Sequence, residues 1–553
     1  MTTHRNLLFI MCDQLRWDYL SCAGHKTLHT PNIDALAARG VRFSNAYCNS
    51  PICGPSRMSI YTGRYMSSHG ATANFVPLRI GERNIGDYLK PLGVRPVLVG
   101  KTHMIPDRDG MQRLGLDPQS PLGVHHCQAG FEPFERDDGI FPDTMMKAQP
   151  RYNDYLRSRG HEGGNPWHWA ANAVDTPDGV RSGFFNDIAH LPARVTDEDS
   201  ETPYMTRRAM EFLARDDGEK PWLLHLSYIK PHWPYIAPPP YNDMFGPDDV
   251  QAPVRSEAEL VDANPLMAHF IDRIAGQTFS RGDAVRRIVP TYMGLIKQID
   301  DQLGLLFDFM DSRGLLESTT IVFTSDHGDY LGDHWMGDKD YFHDPSVKIP
   351  LIVADPDPMM DATRGTVSNA LVQGIDLLPT FIEHFGGQVP RHLIDGVSLR
   401  PLLTGEAESV NDIVVSEYDY HQQVFAAQTG RGPRDCRIYM VMSRDWKYIH
   451  APGFAPVLFD RANDPDEVTD LGLSGEHEPV RARMHARLAD WALQYRQRET
   501  YDDATAARFS GFEEKAGVLI GYWDERDMLD PANIPTPDNQ PALAPDAGDR
   551  GTA

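Results

Sequence analysis

An α/β sandwich around a mostly parallel sheet, followed by a smaller C-terminal α+β domain, is what this sequence predicts, and three observations predict it. Four short, nearly continuous apolar runs each stop at a cluster of polar, chemically capable residues. Helical periodicities lie between those runs. After about residue 405 the pattern changes to short strand-like stretches and one amphipathic helix. Strands buried on both faces read as unbroken apolar runs, and strand–helix alternation builds parallel sheets covered by helices.

The four runs are Leu7–Cys12, ending at Asp13-Gln14; Val97–Gly100, ending at Lys101-Thr102-His103; Trp222–Tyr228, running into Lys230-Pro231-His232; and Ile321–Ser325, ending at Asp326-His327-Gly328. Ligands in open α/β sheets bind beyond the carboxyl ends of the strands, so one site can collect all four clusters. A helix is expected after Thr30, with Pro31 in its first turn and Gly40 past its end. Another spans Tyr292–Met310, where Ile296, Ile299, Leu303 and Leu306 recur at three- and four-residue spacing. The stretches 104–200 and 233–285, rich in Gly, Pro, His, Asp and Trp, read as loops and insertions that shape a pocket rim. Near the end, Ile413–Tyr418, Arg437–Met442, Lys447–His450 and Val457–Phe459 read as strands, with a helix near Val480–Arg496. The Pro- and Asp-rich stretch from about 529 reads as a flexible tail or an arm over another subunit. The expected organisation is therefore 1–405, 406–500 and a tail 501–553.

Composition narrows the partners. The 553 residues include 53 Lys plus Arg against 78 Asp plus Glu, a formal charge of −25. Such a chain repels nucleic acid and anionic membranes, so neither is expected as a partner. No apolar run approaches the length of a membrane span, and Asp13 cuts short the first one before it could serve as a signal-peptide core. The six cysteines show no paired spacing, which fits a reducing, cytoplasmic setting.

The chemistry concentrates in Ser50-Pro-Ile-Cys53-Gly54-Pro55-Ser56-Arg57-Met-Ser-Ile-Tyr-Thr62-Gly63-Arg64. Pro55 suits the first turn of a helix and Gly63 its end, which places Cys53 at the N-terminus. Free backbone N–H groups and the helix dipole favour negative charge there, and Arg57, one turn on, can point back at the same spot as a further catalytic candidate. Such a position stabilises a thiolate or an oxyanion. Asp13 and Asp326-His327 close two strands, and that placement favours a shared cation. Lys101, His103, Lys230, His232 and Lys339 are the cationic candidates. A lone lysine is ordinarily a solvated surface charge, and a lone histidine more often a packed or surface residue than a catalyst; position changes those odds here.

The Cys-x-Pro-Ser-Arg…Thr-Gly-Arg segment resembles the signature of the sulfatase family. Thr30-Pro-Asn-Ile-Asp34, Gly100-Lys-Thr-His103, Ser325-Asp-His-Gly-Asp329, Asp395-Gly-Val-Ser-Leu399 and Leu458-Phe-Asp460…Asp464-Pro-Asp-Glu467 extend the resemblance, in order, over most of the chain. It implies an alkaline-phosphatase-like α/β domain with a small C-terminal domain carrying an antiparallel sheet. It implies oxidation of Cys53 to formylglycine by a maturation enzyme, with the hydrated aldehyde attacking sulfur or phosphorus. It implies one divalent cation on Asp13, Asp326, His327 and the modified Cys53, with Gln14 in or beside the shell. Many sulfatases with Asn in place of His327 use calcium, whereas an imidazole favours manganese, so calcium stands first and manganese second.

By the same resemblance, Lys101 and His103 contact nucleophile and sulfate, and His232 and Lys339 serve the leaving group. Asn74 matches a substrate-contacting amide of the phosphonate monoester hydrolase branch, while Lys230 stays outside the site. The expected activity is hydrolysis of sulfate monoesters, arylsulfatase-like, with cross-reactivity toward phosphonate monoesters and phosphodiesters. Phosphonate hydrolysis as the main activity is the alternative. Lys101 and His103 favour sulfate, because phosphonate hydrolases of this type tend to have Tyr and Thr there. Nothing marks a quaternary-ammonium cage, as a choline sulfatase would need. A non-catalytic binding protein or a redox role for Cys53 are readings from other classes; no nucleophile or ligand is missing, and no CxxC partner stands by. The tail and the family habit imply a dimer or tetramer.

Overall fold

The computed structural model describes residues 6–145, 150–261, 263–494, 500 and 502–534. Met1–Val389 and Ile394–Arg496 form one compact unit; Pro390–Leu393 and Gln497–Ala553 form a second.

Fourteen strands occur in chain order among the described residues: β1 Asn6–Asp13, β2 Val41–Tyr47, β3 Arg95–Gly100, β4 Glu132–Arg136, β5 Ala173–Thr176, β6 Gly179–Ser182, β7 Trp222–Pro231, β8 Thr319–Ser325, β9 Leu351–Ala354, β10 Thr366–Gln373, β11 Val414–Asp419, β12 Arg437–Met442, β13 Trp446–His450 and β14 Val457–Asp460. Eight form one sheet in the order β10-β2-β9-β8-β1-β7-β3-β4. All neighbours run parallel except β9, which is antiparallel to both β2 and β8. The predicted mostly parallel α/β sheet is thus observed, and the four apolar runs are its centre: β8, β1, β7 and β3 lie side by side.

Alternation along the central strands sorts their side chains between two faces. Leu8 and Ile10 share one core with Leu224, Leu226, Ile321 and Phe323. The same core includes Met205, Ala209 and Phe212 of one helix and Tyr292, Ile296, Ile299, Leu303 and Leu306 of another. On the other face, Phe9 meets Phe381 with ring centroids 5.2 Å apart. The principal helices are α1 Pro31–Ala38, α2 Cys53–Thr62, α3 Glu201–Arg215, α4 Gly282–Ser312 and α5 Glu478–Gln494. Helix α4 starts ten residues before the predicted Tyr292, because its first turns bury Val285 and Ile288.

Strands β11 to β14 form an antiparallel sheet in that order. Val415, Val441, Tyr448 and Leu458 pack with Met484, Leu488 and Trp491 of α5, and with Tyr65 and Ile375 of the main body. Lys447, wholly buried, pairs with Asp344 at 2.7 Å and Glu467 at 2.5 Å. The predicted C-terminal strands fall within a residue or so of those observed. The stretches 104–200 and 233–285 hold short elements as well as loops, including β4, the β5–β6 hairpin and the start of α4. Most of the expected flexible tail, from 535 on, lies outside the described residues. No described helix is long and apolar enough to cross a membrane.

Candidate active site

The sheet sets the site. Asp13 ends β1, Lys101 follows β3, His232 follows β7 and Asp326-His327 follow β8, all at carboxyl ends. A register shift between Cys12 and Asp13 moves Asp13 opposite Pro231. Gly100 has φ +110°, and a Cβ there would stand 2.0 Å from Ser227 O, so glycine alone lets β3 close against β7 and deliver Lys101.

Helix α2 opens with Cys53, after Ile52 in extended conformation, and stops at Gly63 in the left-handed conformation, φ 66°. All ten of its residues are buried. Gly54 N donates to Asn74 Oδ1 at 2.9 Å, and a Cβ on Gly54 would lie 2.9 Å from that oxygen, so the glycine permits the close approach. Ser56 Oγ donates to Asp326 O at 2.6 Å and ties the helix to the end of β8.

Cys53 Sγ lies 3.1 Å from His327 Nε2, 3.5 Å from Asp13 Oδ1 and 3.3 Å from Lys339 Nζ. The donor atoms of Asp13, Cys53, Asp326 and His327 all fall within 4.8 Å of one another, and all four residues are buried. His327 Nδ1 stands 2.9 Å from Gly328 O, an acceptor only, so Nδ1 carries the proton and Nε2 turns to the cluster. Burial lowers His327, but Asp326 and Cys53 outweigh it and lift the imidazole to about 9. Four anionic or lone-pair donors that draw positive charge to their centre fit a divalent cation, and the mixed O, N, S set admits manganese as well as calcium. Burial and Asp13 push the Cys53 thiol up, yet Lys339, Lys101 and His327 bring it down to about 6. Burial would raise Asp13 too; Lys101, His232, Arg57 and Lys339 hold its carboxyl well below the usual range.

Among the described residues no hydrogen bond joins Arg57 to Sγ. Its Nε donates to Asp326 Oδ2 at 2.8 Å, Nη2 to Asp13 Oδ2 at 3.4 Å, and Nη1 to Ser227 Oγ at 2.7 Å and Lys101 O at 3.0 Å. It is a wholly buried clamp that orients both carboxylates, so its effect on residue 53 passes through them. Lys101 Nζ pairs with Asp13 Oδ2 at 2.5 Å.

Lys339 and His232 make up the cationic side. Lys339 Nζ donates to Gln14 Oε1 at 2.7 Å and lies 3.0 Å from His232 Nε2. His232 Nδ1 stands 2.6 Å from Trp233 O and so carries its proton, leaving Nε2 to accept from Lys339. Burial and Lys339 lower His232 to about 4. Burial would lower Lys339 as well, but Cys53, Asp338, Asp13 and Asp340 keep its ammonium well above the usual value. Gln14, at φ 63°, gives its backbone N–H to Asp326 Oδ1 at 3.1 Å and its Nε2 to Asp329 Oδ2 at 2.6 Å. Its side chain thus serves Lys339 and Asp329. His103 stands further back: its backbone N donates to Asp138 Oδ1 at 2.9 Å, its ring meets the edge of Phe75, and among the described residues no hydrogen bond joins it to Cys53. Its Nδ1 is buried without a partner.

Sequence reasoning missed Asp329, which orients Gln14 and takes a 2.6 Å bond from Tyr235 Oη; Ser227, which receives Arg57; and Asp138, which fixes His103. Asp329 was within reach, being the last residue of the Asp-His-Gly-Asp run.

Comparisons with known proteins bear on the chain as a whole. The family model described as Sulfatase matches residues 5–387, and that of the C-terminal part of N-sulphoglucosamine sulphohydrolase matches 332–494. A multifunctional alkaline phosphatase superfamily protein, PehA, of Trinickia caryophylli is 33% identical over 89% of this chain and 95% of its own. An arylsulfatase of Clostridium perfringens is 26% identical over 86% and 91%. The crystal structure of a phosphonate monoester hydrolase of Agrobacterium radiobacter superposes with a TM-score of 0.76 at 29% identity, over 89% of this chain and 96% of that one.

Proposed function

The chain belongs to the sulfatase family, within the alkaline phosphatase superfamily, and on that premise we propose that it hydrolyses sulfate monoesters as an arylsulfatase does, with residue 53 as nucleophile. The observation that carries this reading is the position of Cys53 Sγ, at a helix N-terminus, 3.1 Å from His327 Nε2 on one side and 3.3 Å from Lys339 Nζ on the other. A nucleophile placed between a carboxylate–imidazole cluster and fixed ammonium groups suits transfer of a tetrahedral anion, whose charge is stabilised more in the transition state than before it.

Formylglycine, made from Cys53 by a maturation enzyme, would supply the attacking hydroxyl of its hydrate. Asp13, Asp326, His327 and residue 53 would hold a calcium or manganese ion, which when bound acidifies that hydroxyl and polarises an ester oxygen. The chain's own groups do the rest. Arg57 holds both carboxylates in place. Asn74, its oxygen engaged by Gly54 N, offers its amide N–H to a substrate oxygen. Lys101 offsets charge beside Asp13. Lys339 presents a proton toward the leaving oxygen, and His232 Nε2 holds Lys339 in that direction. His103, with a buried nitrogen to spare, would take the remaining hydroxyl proton of residue 53 as the carbon–oxygen bond to sulfate breaks, sulfate leaves and the aldehyde returns.

A second reading makes phosphonate monoesters or phosphodiesters the main substrates. It is favoured by the Cys-Gly-Pro-x-Arg form and by the likeness to the Agrobacterium enzyme; Lys101 and His103 favour sulfate. The test uses protein produced together with a maturation enzyme. The peptide mass at residue 53, the bound metal, and kcat/KM for nitrophenyl sulfate against a nitrophenyl phosphonate are measured. A higher value for the phosphonate overturns the sulfate assignment in favour of the second reading. Unchanged turnover in Cys53→Ala overturns both. We further infer a dimer or tetramer, which light scattering reads directly.

A further inference from the structure

Lys230 has no part in the chemistry above, yet it is buried beside it. It sits near the end of β7, two residues before His232. Its Nζ donates to Pro234 O at 2.8 Å, to Asn172 Oδ1 at 3.3 Å and to His232 O at 3.4 Å. Two of the three acceptors are main-chain carbonyls of the short turn that carries the His232 imidazole. The third belongs to the segment between β4 and α3. Behind it, Asn172 Nδ2 donates to Trp167 O at 3.0 Å, and Trp167 Nε1 donates to Glu201 Oε1 at 3.0 Å. Glu201 is buried and is the negative charge that faces Lys230.

A buried ammonium is expensive to keep charged, and an apolar residue of similar volume would fill the same space. A lysine that spends its three N–H bonds on one turn and one neighbouring amide is fixing the course of that turn. The imidazole at stake has its own exact demands. Nδ1 is engaged by Trp233 O inside the same turn, and Nε2 must face Lys339 at 3.0 Å. A small shift of residues 232–234 carries the ring and its Trp233 contact with it and spoils the contact with Lys339.

We propose that Lys230 is a positioning residue for His232: by tying the carbonyls of residues 232 and 234 to Asn172, it keeps the imidazole aligned with Lys339 at the leaving-group side. The segment from Trp167 to Glu201 then buttresses the active site from behind and is more than a rim. This rests on the reading of the site as an ester hydrolase, with His232 and Lys339 serving the leaving group.

The test is Lys230→Met, read in two ways. The first is kcat/KM over a series of aryl sulfates whose phenols range from acidic to weakly acidic. Loss of an aligned proton donor matters most for the poorest leaving group, so the expected fall is roughly 10- to 100-fold for phenyl sulfate and less than about threefold for a dinitrophenyl sulfate. In a His232→Ala background the same substitution should add nothing to the phenyl sulfate loss. The second reading needs no turnover: a crystal structure of Lys230→Met should show residues 232–234 displaced and the His232–Lys339 contact broken. An equal loss across the series, or an unmoved turn, overturns the proposal and leaves Lys230 a staple of the fold. If Lys230→Met does not fold, Asn172→Ala carries both readings with a shift of about threefold, and no shift overturns the proposal equally. A parent enzyme that turns over neither sulfate nor phosphonate esters overturns the hydrolase reading instead, and the crystallographic arm still decides the role of Lys230.

Discussion

His327 meets Cys53 Sγ directly and His232 meets Lys339, which itself contacts that atom; both imidazoles are buried, and their protonation is driven in opposite directions. His327 sits among Asp13, Asp326 and Cys53 and rises to about 9; His232 sits against Lys339 and falls to about 4. Burial acts on both alike, lowering each, so the difference comes from neighbours. One half of the site is an anionic cup that draws in positive charge. The other is a cationic wall that keeps its imidazole neutral, as an acceptor for an ammonium. Under the proposed function, an anion bound there would meet residue 53 as nucleophile and Lys339 as proton source. The contrast teaches that the division of labour is electrostatic, set by the charged residues that end β1 and β8 and by Lys339 on the loop beyond β8.

The largest effect that tests this division is removal of the atom both halves address. Cys53→Ala should lower turnover at least about 10,000-fold, as loss of a covalent nucleophile does elsewhere. The variant should retain its thermal unfolding midpoint to within a few degrees, which differential scanning calorimetry checks. Next comes the anionic cup alone. Chelation should abolish turnover, and calcium or manganese should restore it. In His327→Ala the restored activity and the metal measured per chain should fall together. A metal content unchanged in that variant would remove His327 from the ligand set and break the comparison on its anionic side.

The cationic wall gives a smaller and more selective effect. His232→Ala should lower kcat/KM by roughly 100-fold for esters of weakly acidic alcohols, within the range of general acid catalysis. For esters of strongly acidic phenols it should change little, since their oxygens leave without a proton. Steady-state kinetics over a leaving-group series reads the slope. A uniform loss would mean that His232 holds the substrate and does not serve the leaving group.

How much of this could be read from residues alone differs between the two halves. The anionic cup was legible, because each member closes a short apolar strand or opens a helix, and strand ends in a parallel sheet converge by rule. Asp13, Cys53, Asp326 and His327 were placed together on that ground and by resemblance, and their donor atoms come within 4.8 Å. The wall was named by resemblance, with His232 and Lys339 at the leaving group, but its geometry was not legible. His232 and Lys339 are 107 positions apart, and their 3.0 Å contact depends on loops whose course has no periodicity. Arg57 was expected at the reactive atom and instead clamps the two carboxylates, since helix spacing fixes its side of α2 but not how far a long side chain reaches. In the sheet, β9 was not foreseen: its run Leu351–Ala354 is only four residues long, and pattern cannot tell its antiparallel insertion. The boundaries of β12 and β13, by contrast, were read to within a residue, because alternation there meets turns on both sides.

A third histidine supplies the reference for the comparison, and with it the smallest predicted effect. His225 lies in the waist of β7, stacked on Phe9 at 4.5 Å and on Phe131 at 5.4 Å. Its Nδ1 stands 3.1 Å from Phe9 O and so carries the proton, while Nε2 accepts from Tyr61 Oη at 2.8 Å. Burial is the main cause that takes it down to about 3, against 6.5 for an ordinary histidine. The sign follows from which state binds the proton. Below pH 6.5 the unfolded chain takes it up and the folded chain refuses it until about pH 3, so this contribution is whole above pH 6.5 and is lost as pH falls. Between pH 6.5 and 5 the loss amounts to about 2 kcal/mol at 1.36 kcal/mol per unit. His225→Gln, whose amide can donate to Phe9 O and accept from Tyr61 Oη, should flatten the acid limb of a urea-unfolding series by that amount while leaving the leaving-group slope untouched. If the slope moved as well, the waist and the wall would be coupled, and the neighbours alone would no longer explain why His327 and His232 part ways.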